Sequence, residues 1–81
     1  LPNELEVFYV QENREILIRN PHLLKLNNAY LNNTLGQQIQ EYREIFEAQE
    51  TTLPVKEFGA GVYIITINSE KGVIIRKIII E

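Results

Sequence analysis

Along the chain, apolar residues return at every second position in short blocks bounded by Asn, Gly, Pro or charged clusters, the spacing of strands whose alternate side chains face opposite ways. Seven strands are expected from it. Residues 5–10 set Leu5, Val7 and Tyr9 on one face and Phe8 with Val10 on the other, and QENR turns the chain. In residues 15–19, Ile16 and Ile18 point one way and Glu15, Leu17 and Arg19 the other, and Asn20-Pro21 ends the strand. Residues 26–32 lead into Asn33-Thr34-Leu35-Gly36, a tight hairpin in which Gly36 takes a positive φ. A fourth strand is expected over residues 37–45, within QQIQEYREIFEAQE. A helix is the open alternative there, because Ile39, Tyr42, Ile45 and Phe46 also fit a helical stripe and Gln, Glu and Arg favour helices.

Residues 51–55 form the fifth block, where Pro54 removes a backbone donor and calls for an edge position or a strand end. In the sixth, residues 62–68, Tyr63, Ile65 and Ile67 share the core face. Residues 68–72 close the last hairpin, with Gly72 expected as the left-handed residue of a bulged turn. The seventh strand, residues 73–81, has two candidate faces: Ile74, Arg76, Ile78 and Ile80 on one, and Val73, Ile75, Lys77, Ile79 and Glu81 on the other. Strands without covering helices must bury their faces against one another, so the expected fold is all-β, a seven-stranded antiparallel β-sandwich of immunoglobulin-like architecture. The paired cysteines and core tryptophan of antibody domains are absent.

Eighty-one residues with 44% hydrophobic content make one domain around one core. Composition then narrows the chemistry. Eight basic against eleven acidic residues, with no basic run longer than Arg76-Lys77, leave no nucleic-acid footprint. Every acidic residue is Glu, Ser69 is the only serine and His22 the only histidine, so no hydrolytic triad is completed unless a Glu orients the base. His22 sits in the NPHL turn, and the pairs Glu12/Glu15 and Glu47/Glu50 read as solvated faces. The expectation is no enzyme, no cofactor, no metal site and no small-molecule ligand. Asn32-Asn33-Thr34 fits the glycosylation pattern but reads as the hairpin turn. The longest apolar runs are far short of a membrane span, and the LPNELEV start fits a fragment of a larger secreted precursor.

Three motifs in order carry a resemblance: AYLNNTLGQQI, LPVKEFGAGVYIITI and SEKGVIIRKIIIE. Over roughly residues 14–81 the chain resembles the type A C-terminal sorting domain of the type IX secretion (Por) system of Bacteroidota. Gly61 and Tyr63 match the family's Gly-x-Tyr strand, Gly72 its final turn, Lys77 its lysine before the closing aliphatic residues, and Gly36 with Gln37 its mid-domain turn. The recognition motif implied is Gly61, Tyr63, Gly72, Arg76, Lys77, Ile78, Ile79 and Ile80.

The resemblance implies an address that directs an upstream cargo from the periplasm to the cell surface or the medium. Its implied partners are the outer-membrane translocon, a shuttle protein and a sortase-like peptidase that removes the domain. The expected physical route is an exposed terminal edge whose free backbone groups pair with a receptor strand, with Arg76, Lys77 and the flanking isoleucines giving discrimination. The same edge makes a homodimer through the terminal strand an expectation. The competing class is an immunoglobulin- or fibronectin-like adhesion module that stays on its parent, for which no sugar-stacking platform is evident.

Overall fold

The computed structural model describes residues 5–43, 48–55 and 59–81. Within them the chain forms β1 (Glu6–Val10), β2 (Glu15–Arg19), β3 (Leu26–Asn33), β4 (Gln38–Tyr42), β5 (Glu50–Pro54), β6 (Gly61–Ser69) and β7 (Gly72–Ile80). Two antiparallel sheets result, a three-stranded one in the order β1-β2-β5 and a four-stranded one in the order β4-β3-β6-β7. Their inner faces supply one core, which is the sandwich that the alternation predicts.

Ile16 and Ile18 of β2 meet Leu26, Leu31, Ile65 and Ile67 of β3 and β6 in a layer closed to solvent. Each such side chain contributes about 1.5–3 kcal/mol by leaving water. Leu5, Leu24, Leu53 and Val55 complete the layer at its margins, with Val7, Tyr9, Ile39 and Tyr63 packed against it.

The crossover from β2 to β3 is held by Asn20, whose burial the sequence pattern does not announce. Its amide donates to the Leu24 carbonyl (2.8 Å), its Oδ1 accepts from the Leu24 N–H (3.0 Å), and its own N–H donates to Gln49 (2.8 Å). A buried amide is tolerated because both ends of its dipole are satisfied.

Over Gln38–Tyr42 the ambiguous segment is a strand, and the register explains its poor alternation. Leu31 faces Gln40 but Asn32 faces Gln38, so Ile39 is the extra residue of a β-bulge that shifts the period by one. Ile45 and Phe46, the remainder of the proposed helical stripe, lie outside the described residues. Glu41 is half-buried and pairs with Arg43 at 3.4 Å.

Both predicted positions for Pro54 hold at once: it ends β5, and β5 is an edge strand. The last hairpin departs from expectation. Ser69 pairs directly with Gly72 across a loop of only Glu70 and Lys71, in unbroken register and without the bulge assigned to Gly72. A two-residue loop lengthens both strands by one residue, and the φ of +132° at Gly72 strains any side chain there.

Candidate functional site

β7 lies at the edge of the four-stranded sheet and, among the described residues, pairs along one side only, with β6. Its alternation is resolved in favour of one face. Ile74, Ile78 and Ile80 point into the core, whereas Val73 (60% exposed), Ile75 (60%) and Ile79 (57%) stand on the outer face with Lys77.

The hairpin also sets which backbone groups are free. A two-residue loop closes on a pair that exchanges both of its N–H···O=C bonds, and such pairs alternate along an antiparallel ladder. Starting from Ser69 and Gly72, the bonded residues of β7 are Gly72, Ile74, Arg76, Ile78 and Ile80. The N–H and C=O groups of Val73, Ile75, Lys77 and Ile79 therefore point away from β6. One set of four residues thus presents, at the edge, backbone that no described strand pairs, and exposed side chains on the face.

Arg76 belongs to the inward-pointing set but is half-buried rather than enclosed. Its stem lies among the isoleucines while its guanidinium reaches the edge and donates from Nη1 to the Ile75 carbonyl at 2.9 Å. Lys77 is exposed, and its neighbour across the ladder is Ile64, which cannot neutralise it.

The outer face of β6 continues the apolar surface. Val62 pairs with Ile79, Ile64 with Lys77, Thr66 with Ile75 and Asn68 with Val73. Farther in, the face turns polar: Asn68 donates to Asn28 (2.6 Å) and Asn28 to the Tyr30 hydroxyl (3.2 Å). Apolar exposure is thereby concentrated next to the open edge.

The other sequence-predicted residues fall into two groups. Gly61 pairs with Ile80 and Tyr63 with Ile78, so Gly61, Tyr63, Gly72 and residues 76–80 all lie on the β6–β7 ribbon. The Tyr63 hydroxyl donates to the Gly59 carbonyl at 2.6 Å, tying the β5–β6 connection to the ribbon. Gly36 and Gln37 lie apart from it, in the β3–β4 turn. Gly36 takes a φ of +85° and donates to Asn33, and Gln37 exchanges both backbone and side-chain bonds with Asn33 at 2.9–3.0 Å. This mid-domain pair is a turn clamp organised by Asn33.

Of the closing isoleucines, only Ile79 offers its side chain to a partner, since Ile78 and Ile80 are in the core. Two residues absent from the motif, Val73 and Ile75, complete the exposed row. Period-two spacing from Lys77 was the available signal for them.

A family model described as the secretion system C-terminal sorting domain matches residues 7–81. The chain belongs to that family. Its function is that of the sorting signal of type IX secretion, which directs export to the cell surface or the medium. The match takes in all of β2 to β7 and most of β1, so the open edge belongs to the sorting domain itself. A comparison with curated proteins gives no match. Among the described residues no group of three or more His, Cys, Asp or Glu side chains is placed to hold a metal ion. One open depression of about 430 Å³, lined by Glu6, Arg19, Pro21, Gln49 and Glu50, lies on the three-stranded sheet, away from the β6–β7 ribbon.

Proposed function

We propose that this sorting domain is the terminal address of a larger secreted precursor and that the export machinery reads it at the β7 edge. The observation that carries this reading is the coincidence, on Val73, Ile75, Lys77 and Ile79, of backbone groups that no described strand pairs and exposed side chains. Main-chain pairing accepts any cargo upstream, and side chains on the same row supply discrimination. The partners are the outer-membrane translocon and its shuttle protein, met from the periplasm, followed by a sortase-like peptidase that removes the domain for surface attachment or release. The domain contributes recognition and no catalytic step.

In this division of labour Gly61, Tyr63, Gly72, Ile78 and Ile80 build the ribbon, Gly36 and Gln37 hold the β3–β4 turn, and Arg76, Lys77 and Ile79 meet the partner. Self-pairing through the same edge is a second, weaker association available when no receptor strand is present. The test is a reporter protein carrying the domain in a type IX-competent bacterium. Deleting residues 77–81 should retain the reporter in the periplasm, whereas replacing exposed Glu12 should not. Undiminished surface delivery by the truncated chain would refute the reading.

A further inference from the structure

Among the described residues, charge along the β7 edge is uncompensated. Arg19 and Arg43 each have a carboxylate partner, Glu50 at 3.5 Å and Glu41 at 3.4 Å. Among the described residues neither Arg76 nor Lys77 has one, although they sit side by side in the middle of the only strand whose outward row is otherwise apolar. An isolated surface cation needs no explanation. Here, however, Lys77 stands between Ile75 and Ile79, both more than half exposed, so the row reads apolar, cationic, apolar.

We infer that the edge takes an antiparallel strand of a partner protein whose side chains on the outer face run apolar, acidic, apolar, with the carboxylate opposite Lys77. In an antiparallel ladder the residues that would exchange both backbone bonds with Ile75, Lys77 and Ile79 set their side chains directly beside those of the three. A carboxylate there gains a charge-assisted contact at Lys77 and is also within the reach of the long Arg76 side chain, once strand addition displaces that guanidinium from the Ile75 carbonyl. Apolar neighbours two residues on either side cover Ile75 and Ile79.

A second copy fits this edge less well. In the register of full overlap, Gly72 opposite Ile80, Arg76 faces Arg76, and a shift of one residue in each strand sets Lys77 against Lys77. Like charges directly opposite oppose pairing. The two cations therefore discourage self-pairing and favour an acidic strand.

This inference rests on the reading that β7 is what the export machinery engages, and the experiment separates the two. The same reporter fusion carries Ile75→Pro, Lys77→Glu, Lys77→Arg or a deletion of residues 73–81. Ile75→Pro removes an outward N–H and no bond of the β6–β7 ladder, which is where an edge strand accepts proline. Far-UV circular dichroism and thermal unfolding of the purified 81-residue substitution variants verify the fold.

Ile75→Pro and Lys77→Glu should stay folded and lower surface delivery by about tenfold or more, while Lys77→Arg stays within about twofold of the parent. If the deletion still reaches the surface, the reading of β7 as the address is wrong. If the deletion is retained but folded Ile75→Pro is delivered normally, strand addition is wrong. Should Ile75→Pro unfold, the charge pair decides: normal delivery of Lys77→Glu, or a loss with Lys77→Arg as deep as with Lys77→Glu, overturns the acidic strand.

Discussion

On one flank of the sandwich β5 lies beside β4, and the Tyr42 hydroxyl (2.7 Å) and Gln40 amide (3.3 Å) both donate to the Pro54 carbonyl. On the other flank β1 lies beside β7, and among the described residues no hydrogen bond joins them. The chemistry of the edge residues accounts for the contrast. Pro54 has no N–H to leave open, and polar side chains on β4 occupy the acceptor that remains. β7 has a full row of outward donors and acceptors, and its inward side chains are isoleucines that can pack but cannot cap. Among the described residues only Arg76 bends back to the edge, and it covers a single carbonyl. A closed flank protects an edge at the cost of ordering polar side chains, and an open one keeps a line for pairing.

The largest effect should come from testing the alternation on the open flank. Ile80→Ala should lose about 2–5 kcal/mol in urea unfolding because it empties a fully buried site, whereas Ile79→Ala should change stability by about 0.5 kcal/mol or less. Equal losses would mean that β7 does not present one face to the core. Asn20→Ala, which touches neither flank, should cost about 1–3 kcal/mol by stranding the Leu24 backbone groups, and it sets the scale for a buried polar clamp.

On the closed flank Tyr42→Phe should cost about 0.5–1.5 kcal/mol, the net worth of its bond to Pro54. Its pH dependence is distinctive. Burial pushes the Tyr42 hydroxyl up to about 12 from an ordinary value of 10.0, so its contribution is complete below about pH 10 and is lost as pH rises through about 12. The unfolded chain ionises first in that window, which lowers stability. Unfolding midpoints of the parent should fall across it, and Tyr42→Phe should lack that part of the decline; identical slopes would separate the closed flank from its buried hydroxyl.

The smallest effect concerns self-pairing. Arg76→Ala frees the Ile75 carbonyl and removes the like-charge clash, so sedimentation over a concentration series should show about twofold to fivefold stronger association, with folding stability little changed. Added salt should strengthen association of the parent by screening the same repulsion. A parent that stays monomeric at every concentration and salt level, together with a monomeric Arg76→Ala, would argue that this flank is closed by some other means.

Much of this architecture was legible residue by residue. Ile16 and Ile18, then Ile65 and Ile67, alternate so cleanly that their shared faces follow from spacing alone, and all four are in the core. Where local cues competed, the pattern blurred. Ile39 and Tyr42 broke the period because a bulge inserts one residue, and only the partner strand reveals that. Asn20 reads as a strand terminator, yet its burial depends on Gln49, far along the chain. The motif residues were visible, but which of them support the ribbon and which face outward was not: Ile78 and Ile79 are neighbours of one type with opposite exposures.

Spacing and residue type by themselves determined the strands, their turns and the apolar stripes, because period-two alternation and turn chemistry act over a few neighbouring residues. Tertiary structure decided the rank of each strand in its sheet. β6 takes β3 on one side and β7 on the other, which leaves β7 outermost. That choice depends on burying faces contributed by residues 26–33 and 61–80 together, a long-range balance that no local window contains.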